Sequence, residues 1–157
     1  MGVSMSSTNA EHISLHPVDQ DNWRQVANLK VSETQDDFVA APCYYLALCH
    51  YGKDWQPLAI LLGEQVIGFM MWAVDESDGS CWLGGIIIDK GMQNRGYGSQ
   101  AVQVAINLLH EQHGYTSFAL SYQPANLAGK HVYAKLGFME TDEWEDDEIV
   151  ARLTLAE

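Results

Sequence analysis

The chain has 157 residues, 47% apolar and 10% aromatic, enough for one core of ordinary size without disulfide or metal staples. Its 8 basic against 21 acidic residues give a formal charge of −13. That balance argues against nucleic acid or an anionic membrane as main partner, because both are bound through Lys and Arg. Three scattered cysteines, Cys43, Cys49 and Cys81, suit neither a disulfide framework nor a zinc site; they read as reduced core thiols of a cytoplasmic protein.

Residues 1–10 read as a disordered leader and 11–157 as one domain, with no signal peptide and no run long enough to span a bilayer. "HISLHPV" (12–18) alternates as a strand. Asp19 or Asp21 is placed to cap a helix through "NWRQVANL", with Trp23, Val26, Ala27 and Leu29 as its apolar stripe. Residues 31–52 predict two short helical pieces, the second starting near Pro42. "QPLAILLG" and "QVIGFMMWAV" form a hairpin about Gly63 and Glu64, and "CWLGGIIID" adds a third strand whose Gly84 and Gly85 predict a bulge or a close approach to the backbone. A helix over 98–114, a strand over 115–122, a helix over 126–137 and an acidic-tipped hairpin complete the chain. The fold class is α+β: a mixed, mostly antiparallel central sheet flanked by helices. Trp23, Trp55, Trp72 and Trp82 are expected in the core. "HEQH" (110–113) lacks the zinc-protease spacing, so no metal is assigned.

Between the third strand and the long helix lies "QNRGYGS" (93–99). A helix start has unpaired N–H groups and a partial positive charge. Gly96 and Gly98 leave that backbone bare, and Arg95 adds a full charge, so the segment is a candidate anion site. It is not a dinucleotide fingerprint, because position 101 is Ala, nor a phosphate-binding G-K-[ST] loop.

"IIIDKGMQNRGYGSQAV" resembles the Q/R-x-x-G-x-G/A signature of the GNAT superfamily of acyl-CoA-dependent N-acetyltransferases. "NLAGKHVYAKLGF" (126–138) is similar to the same family's N-x-x-x-x-x-x-Y-x-x-x-G-F block, and "EQVIGFMMW" to its V-x-G-F strand. The resemblance runs from about residue 12 to 155. It implies acetyl-CoA as co-substrate, with the main chain of Gln93, Asn94, Arg95, Gly96, Tyr97, Gly98 and Ser99 around its diphosphate. Main-chain groups of Ile86 and Ile88 would pair with the pantetheine arm as an added strand, joined by Asn126. Tyr133 matches the general acid that protonates the departing thiolate. Gly129 stands where the family often has Ala, which loosens that helix by up to ~1 kcal/mol. The strand before the loop has glycines where some relatives carry an acid, so deprotonation through water is expected, relayed to a carboxylate such as Glu33 or Glu64.

"VSETQDDFVAAPCYYLAL" (31–48) resembles the corresponding segment of the spermine/spermidine (diamine) acetyltransferase branch, where it walls the acceptor cleft. Glu33, Asp36 and Asp37 are then candidates to hold ammonium groups, with Tyr44 (and Tyr45) beside them. "ETDEWEDDE" (140–148) puts seven carboxylates in nine residues, a field able to gather a cation over a Debye length of ~8 Å. The expected activity is polyamine N-acetylation. Another amine acceptor (an amino acid, an aminoglycoside or a protein N-terminus) and a non-catalytic acyl-CoA-binding module are the alternatives. The resemblance also suggests a homodimer.

Overall fold

The structure is a computed structural model that describes residues 12–31, 40–52 and 54–156. The expected leader, together with Glu33, Asp36 and Asp37, lies outside those residues. In chain order the elements are β1 (Ile13–Pro17), α1 (Trp23–Ala27), α2 (Pro42–Tyr51), β2 (Gln56–Leu62), β3 (Gln65–Asp75) and β4 (Ser80–Ile88). A 3-10 turn (Lys90–Met92) follows, then α3 (Tyr97–His113), β5 (Ser117–Tyr122), α4 (Leu127–Lys135), β6 (Met139–Glu145) and β7 (Glu148–Thr154). The strands form one sheet in the order β1-β2-β3-β4-β5-β7-β6. Neighbours are antiparallel except β4 and β5, which α3 connects as a crossover.

Alternation along β2 divides the core between the two faces of the sheet. Leu58 and Ile60 join a cluster with Ala101, Val102, Ala105, Ile106 and Leu109 of α3, while Ala59 and Leu61 pack with Val26, Leu29 and Phe69 beneath α1 and α2. Turn chemistry sets the connections. Gly63 turns β2 into β3 at φ 61°, and Asp75 and Asp78 accept from the amides of Ser77 and Ser80 to shape the next turn. α3 ends at Gly114, whose left-handed φ of 77° lets its N–H reach the His110 carbonyl at 2.8 Å.

Several details differ from the sequence reading. α1 is one short helix, and neither Asp19 nor Asp21 caps it. The Asp19 carboxylate instead accepts from the amides of Asp21 and Asn22, tightening the turn in front of the helix. Trp23 leaves the apolar stripe: it is 41% exposed, under the Arg24 guanidinium at 4.6 Å. α2 starts at Pro42 as expected, and the first of the two expected helical pieces falls outside the described residues. Trp72 is half-buried against the rings of His113 and Tyr115. Cys81 is buried and Cys49 partly so, but Cys43 is exposed, so only two of the three thiols are core groups.

Gly68 is the tightest point of the sheet. A Cβ there would sit 2.4 Å from the Ile87 carbonyl oxygen and 3.0–3.1 Å from the Ile88 and Ile60 side chains. The backbone of β4 would have to move, and overpacking of this kind costs about 1–3 kcal/mol. Gly68→Ala is expected to lower the thermal midpoint by about 3–10 °C, read by circular dichroism.

Candidate active site

The ladder between β4 and β5 stops early. Cys81 pairs with Phe118 and Trp82 with Ala119; beyond them no further pairs form, and the two strands part. A cleft of about 1130 Å³ opens in the wedge. Its walls come from β4 (Leu83, Gly84, Gly85, Ile86 and Ile88), from β5 (Leu120, Ser121 and Tyr122), from the start of α3, from α4, from α2 and from the β6–β7 turn. That volume is at or above the range of ~300–1,000 Å³ usual for one small ligand.

On β4 the expected bulge is present. Met71 faces Gly84 and Phe69 faces Ile87, so Gly85 and Ile86 together oppose Met70. Gly85 is left-handed at φ 59°. The glycine pair also makes room for aromatic rings. A Cβ on Gly84 would lie 3.3 Å from the Trp55 ring, and one on Gly85 would lie 3.4 Å from the Tyr45 ring. Trp55, Tyr45 and Trp82 thus line the cleft; Trp55 also packs against the core cluster of Ala59, Phe69 and Met71, as expected, while Trp82 is half-buried in the cleft wall. Tyr45 accepts from the Ala40 amide at 3.1 Å, and burial outweighs that bond to push its phenol above the ordinary range.

The glycine loop lies at one end of the cleft. Asn94 and Gly96 both have left-handed backbones, at φ 65° and 82°. Among the described residues, Gln100 is the first of α3 whose amide bonds back, to the Gly96 carbonyl at 3.1 Å, so the earlier N–H groups of the helix start are open to a ligand. A Cβ on Gly98 would come no nearer than 3.6 Å, to the Ile88 side chain. Gln93, Asn94, Gly96, Tyr97, Gly98 and Ser99 line the cleft. Arg95 is exposed and is not part of the lining. The Gln93 side chain turns back to donate to the Ile88 carbonyl at 2.9 Å, which also occupies one lone pair of a carbonyl expected to face the pantetheine arm.

Tyr133 stands on α4 with its ring stacked on Tyr122 at 5.5 Å and edge-on to Phe138 at 6.3 Å. Burial chiefly, with the charge of Glu148 adding to it, pushes its phenol up to about 12. Asn126 caps α4 by accepting from the Gly129 amide at 3.1 Å. A Cβ on Gly129 would lie 2.7 Å from the Asn126 side-chain nitrogen. Gly129 is therefore the residue that admits the cap, which offsets the loosening expected of a glycine there.

The acidic hairpin divides into two groups. Glu140 takes the Tyr122 hydroxyl at 2.8 Å and lies 3.8 Å from Lys130, while Glu143 holds Arg152 through two hydrogen bonds of 2.6 and 2.8 Å. Glu145, Asp146, Asp147 and Glu148 line the cleft, and among the described residues none has a cation within ion-pair distance. Ser121 donates to Glu148 at 2.7 Å. Tyr44 lines the same region and is 59% exposed. Glu64 sits exposed in the β2–β3 turn and is not part of the cleft lining, so it is poorly placed for a proton relay. Sequence reasoning missed Ser121, Trp55, Trp82 and the placement of residues 145–148. Only the composition of the tip pointed to that last group.

This combination of a parted sheet, a bulged fourth strand and a bare helix start defines an acyl-transfer fold, and the comparisons agree. The model of the acetyltransferase (GNAT) family matches residues 19–138, and the chain belongs to that family. It is 27% identical over 135 residues to a probable spermine N(1)-acetyltransferase of Bacillus subtilis subsp. natto, covering 80% of this chain and 87% of that protein. It is 26% identical, with the same coverage, to the spermine/spermidine N(1)-acetyltransferase of Bacillus subtilis strain 168. Among solved structures, the Vibrio cholerae spermidine N-acetyltransferase in complex with CoA and spermine superposes with a TM-score of 0.71 at 14% identity, over 90% of this chain and 93% of that one. The aminoglycoside acetyltransferase AAC(6')-Ib in complex with ribostamycin and coenzyme A gives 0.76 at 14% identity, again over 90% and 93%. At these identities the two structures speak for the fold.

Among the described residues no group of three or more His, Cys, Asp or Glu is arranged to hold a metal ion, and no helix is long and apolar enough to cross a membrane.

The raised phenol of Tyr133 sets a pH dependence. Below pH 10 both the folded and the unfolded chain keep the proton, so the contribution to stability is constant. Between 10 and about 12 the unfolded chain ionises first, and stability falls with rising pH. The difference in tyrosinate absorbance between the wild-type protein and Tyr133→Phe is expected to titrate near 12, not near the ordinary value of ~10.

Proposed function

We propose that the protein transfers the acetyl group of acetyl-CoA to a primary amine of a polycation such as spermidine or spermine, with Tyr133 as general acid. The observation that carries this reading is the make-up of the cleft. The same cleft is lined by the bare helix start at residues 96–99, by four carboxylates that among the described residues have no cation within ion-pair distance, and by Tyr133. Acetyl-CoA supplies a thioester, which is activated toward amines. The cleft suits it: the loop has left-handed turns at Asn94 and Gly96 and no side chain at Gly98, and among the described residues β4 beyond Trp82 has no strand partner on its β5 side.

Each residue then has a task. The amides from Gln93 to Ser99 hold the diphosphate, with Arg95 supplying charge from outside the cleft wall. The main chain at Ile86 and Ile88, with Asn126, lines up the pantetheine arm. The bulge turns the Gly85–Ile86 backbone out of the ladder, which leaves an N–H for the charge that develops on the acetyl oxygen. Tyr133, kept protonated by burial, gives its proton to the sulfur as the thiolate leaves. Tyr44, Glu33, Asp36 and Asp37 remain the candidates for the second wall around the amine. The attacking nitrogen must be neutral, and water in the open cleft takes up its proton.

Release of the CoA thiol tests the reading. Spermidine and spermine are expected to react faster than simple monoamines, with an advantage that shrinks as salt rises. Equal rates for monoamines, or indifference to salt, would remove polyamines as the substrate. Tyr133→Phe is expected to lower kcat about 10²–10⁴-fold with little change in acetyl-CoA affinity. Gly98→Val, which fills the cradle, is expected to weaken acetyl-CoA binding at least tenfold by calorimetry while the thermal midpoint changes little.

A further inference from the structure

The acceptor end of the cleft contains a carboxylate that neither the expected relay nor the expected wall includes. Glu148 opens β7, directly after the Asp146-Asp147 turn, and lines the cleft from the β5 side. It is partly buried, and Ser121 of β5 fixes one of its oxygens with a 2.7 Å bond. Among the described residues it has no cation of its own, although the chain supplies Lys130 and Arg152 to Glu140 and Glu143 of the same hairpin. Glu140 and Glu143, which are not in the cleft lining, each have a cation, whereas among the described residues Glu148, which is in it and is fixed by Ser121, has none. Its charge acts on Tyr133 on one wall and on Tyr45 of α2 on another, which places it within electrostatic reach of both sides of the acceptor space.

We infer that Glu148, positioned by Ser121, binds a second ammonium of the acceptor, one that is not acetylated, and so makes the site selective for diamines and longer polyamines over monoamines. The inference rests on the amine-acetylating reading above. A carboxylate paired with the reacting nitrogen would favour its charged, non-nucleophilic form. Paired with a distant nitrogen, the same carboxylate secures the charge that a monoamine lacks. Desolvated charge-assisted bonds of this kind are worth more than exposed pairs, which is why the partly buried Glu148 is chosen over the exposed Asp146 and Asp147.

The test compares 1,4-diaminobutane with n-butylamine, which share a chain length and differ by one charge. In the wild-type protein, kcat/KM should favour the diamine. Glu148→Gln should cut the diamine-to-monoamine ratio by about tenfold or more, chiefly through KM of the diamine. Ser121→Ala should cut it by a smaller factor. Acetyl-CoA binding to both variants, read by calorimetry, checks that the cleft is still formed. An unchanged ratio in Glu148→Gln overturns the inference. So does an equal loss of kcat for both amines, which would put Glu148 at the reacting nitrogen. Absence of thiol release with any amine would defeat the catalytic reading instead. Calorimetric titration of 1,4-diaminobutane into the CoA-bound protein then decides the role of Glu148, since weaker binding to Glu148→Gln supports it and equal binding overturns it.

Discussion

Hydrogen bonding between the two parallel strands ends after Trp82 and Ala119, and the site depends on that ending. A continuous sheet would have covered the inner faces of β4 and β5 with each other. Because they part, main-chain groups of β4 face a cleft, Ser121 and Tyr122 line it from β5, and the start of α3 points its amides into the wedge. The strands can part because each is held from its outer side. β3 pairs with β4 along most of its length, and β7 pairs with all six residues of β5. The buried side chains of α3 and of both strands meet in one core cluster beneath the opening. Two half-sheets anchored separately can diverge without either losing its partners.

The glycine pair on β4 adds to this. Gly84 and Gly85 bend the strand at the bulge, and their missing side chains leave room for Trp55 and Tyr45. The same two residues thus bare the backbone and bring an aromatic wall over it. A larger residue at Gly85 would also meet a left-handed φ of 59°.

Much of the fold was readable because local chemistry specified it. Gly63, Gly114 and the Asp75–Ser80 turn set boundaries through conformations that few other residues adopt. The backbone of the Gly96/Gly98 loop was readable for the same reason: a left-handed turn and a missing side chain are written in glycine itself. The acceptor side was harder to read. That the acidic tip lines the cleft follows from β7 pairing with β5 ahead of β6, a long-range choice that periodicity does not encode. The tryptophans were half-readable for a related reason. A large apolar ring suits a core and an open cleft equally well, and Trp55 serves both, packed on the core beneath α2 with its ring over Gly84 in the cleft. At Gly129 the propensity argument was correct but incomplete, since it left out what the Asn126 side chain needs.

The four carboxylates at residues 145–148, which among the described residues have no cation within ion-pair distance, bear on stability as well as on binding. Like charges held side by side on a tight turn repel, so the fold keeps this hairpin closed against a standing electrostatic load. A multivalent cation bound there would relieve the load and stabilise the folded chain through mass action, whichever cation it is. Such a guest would also be a brace, raising the free energy of unfolding with the logarithm of its concentration.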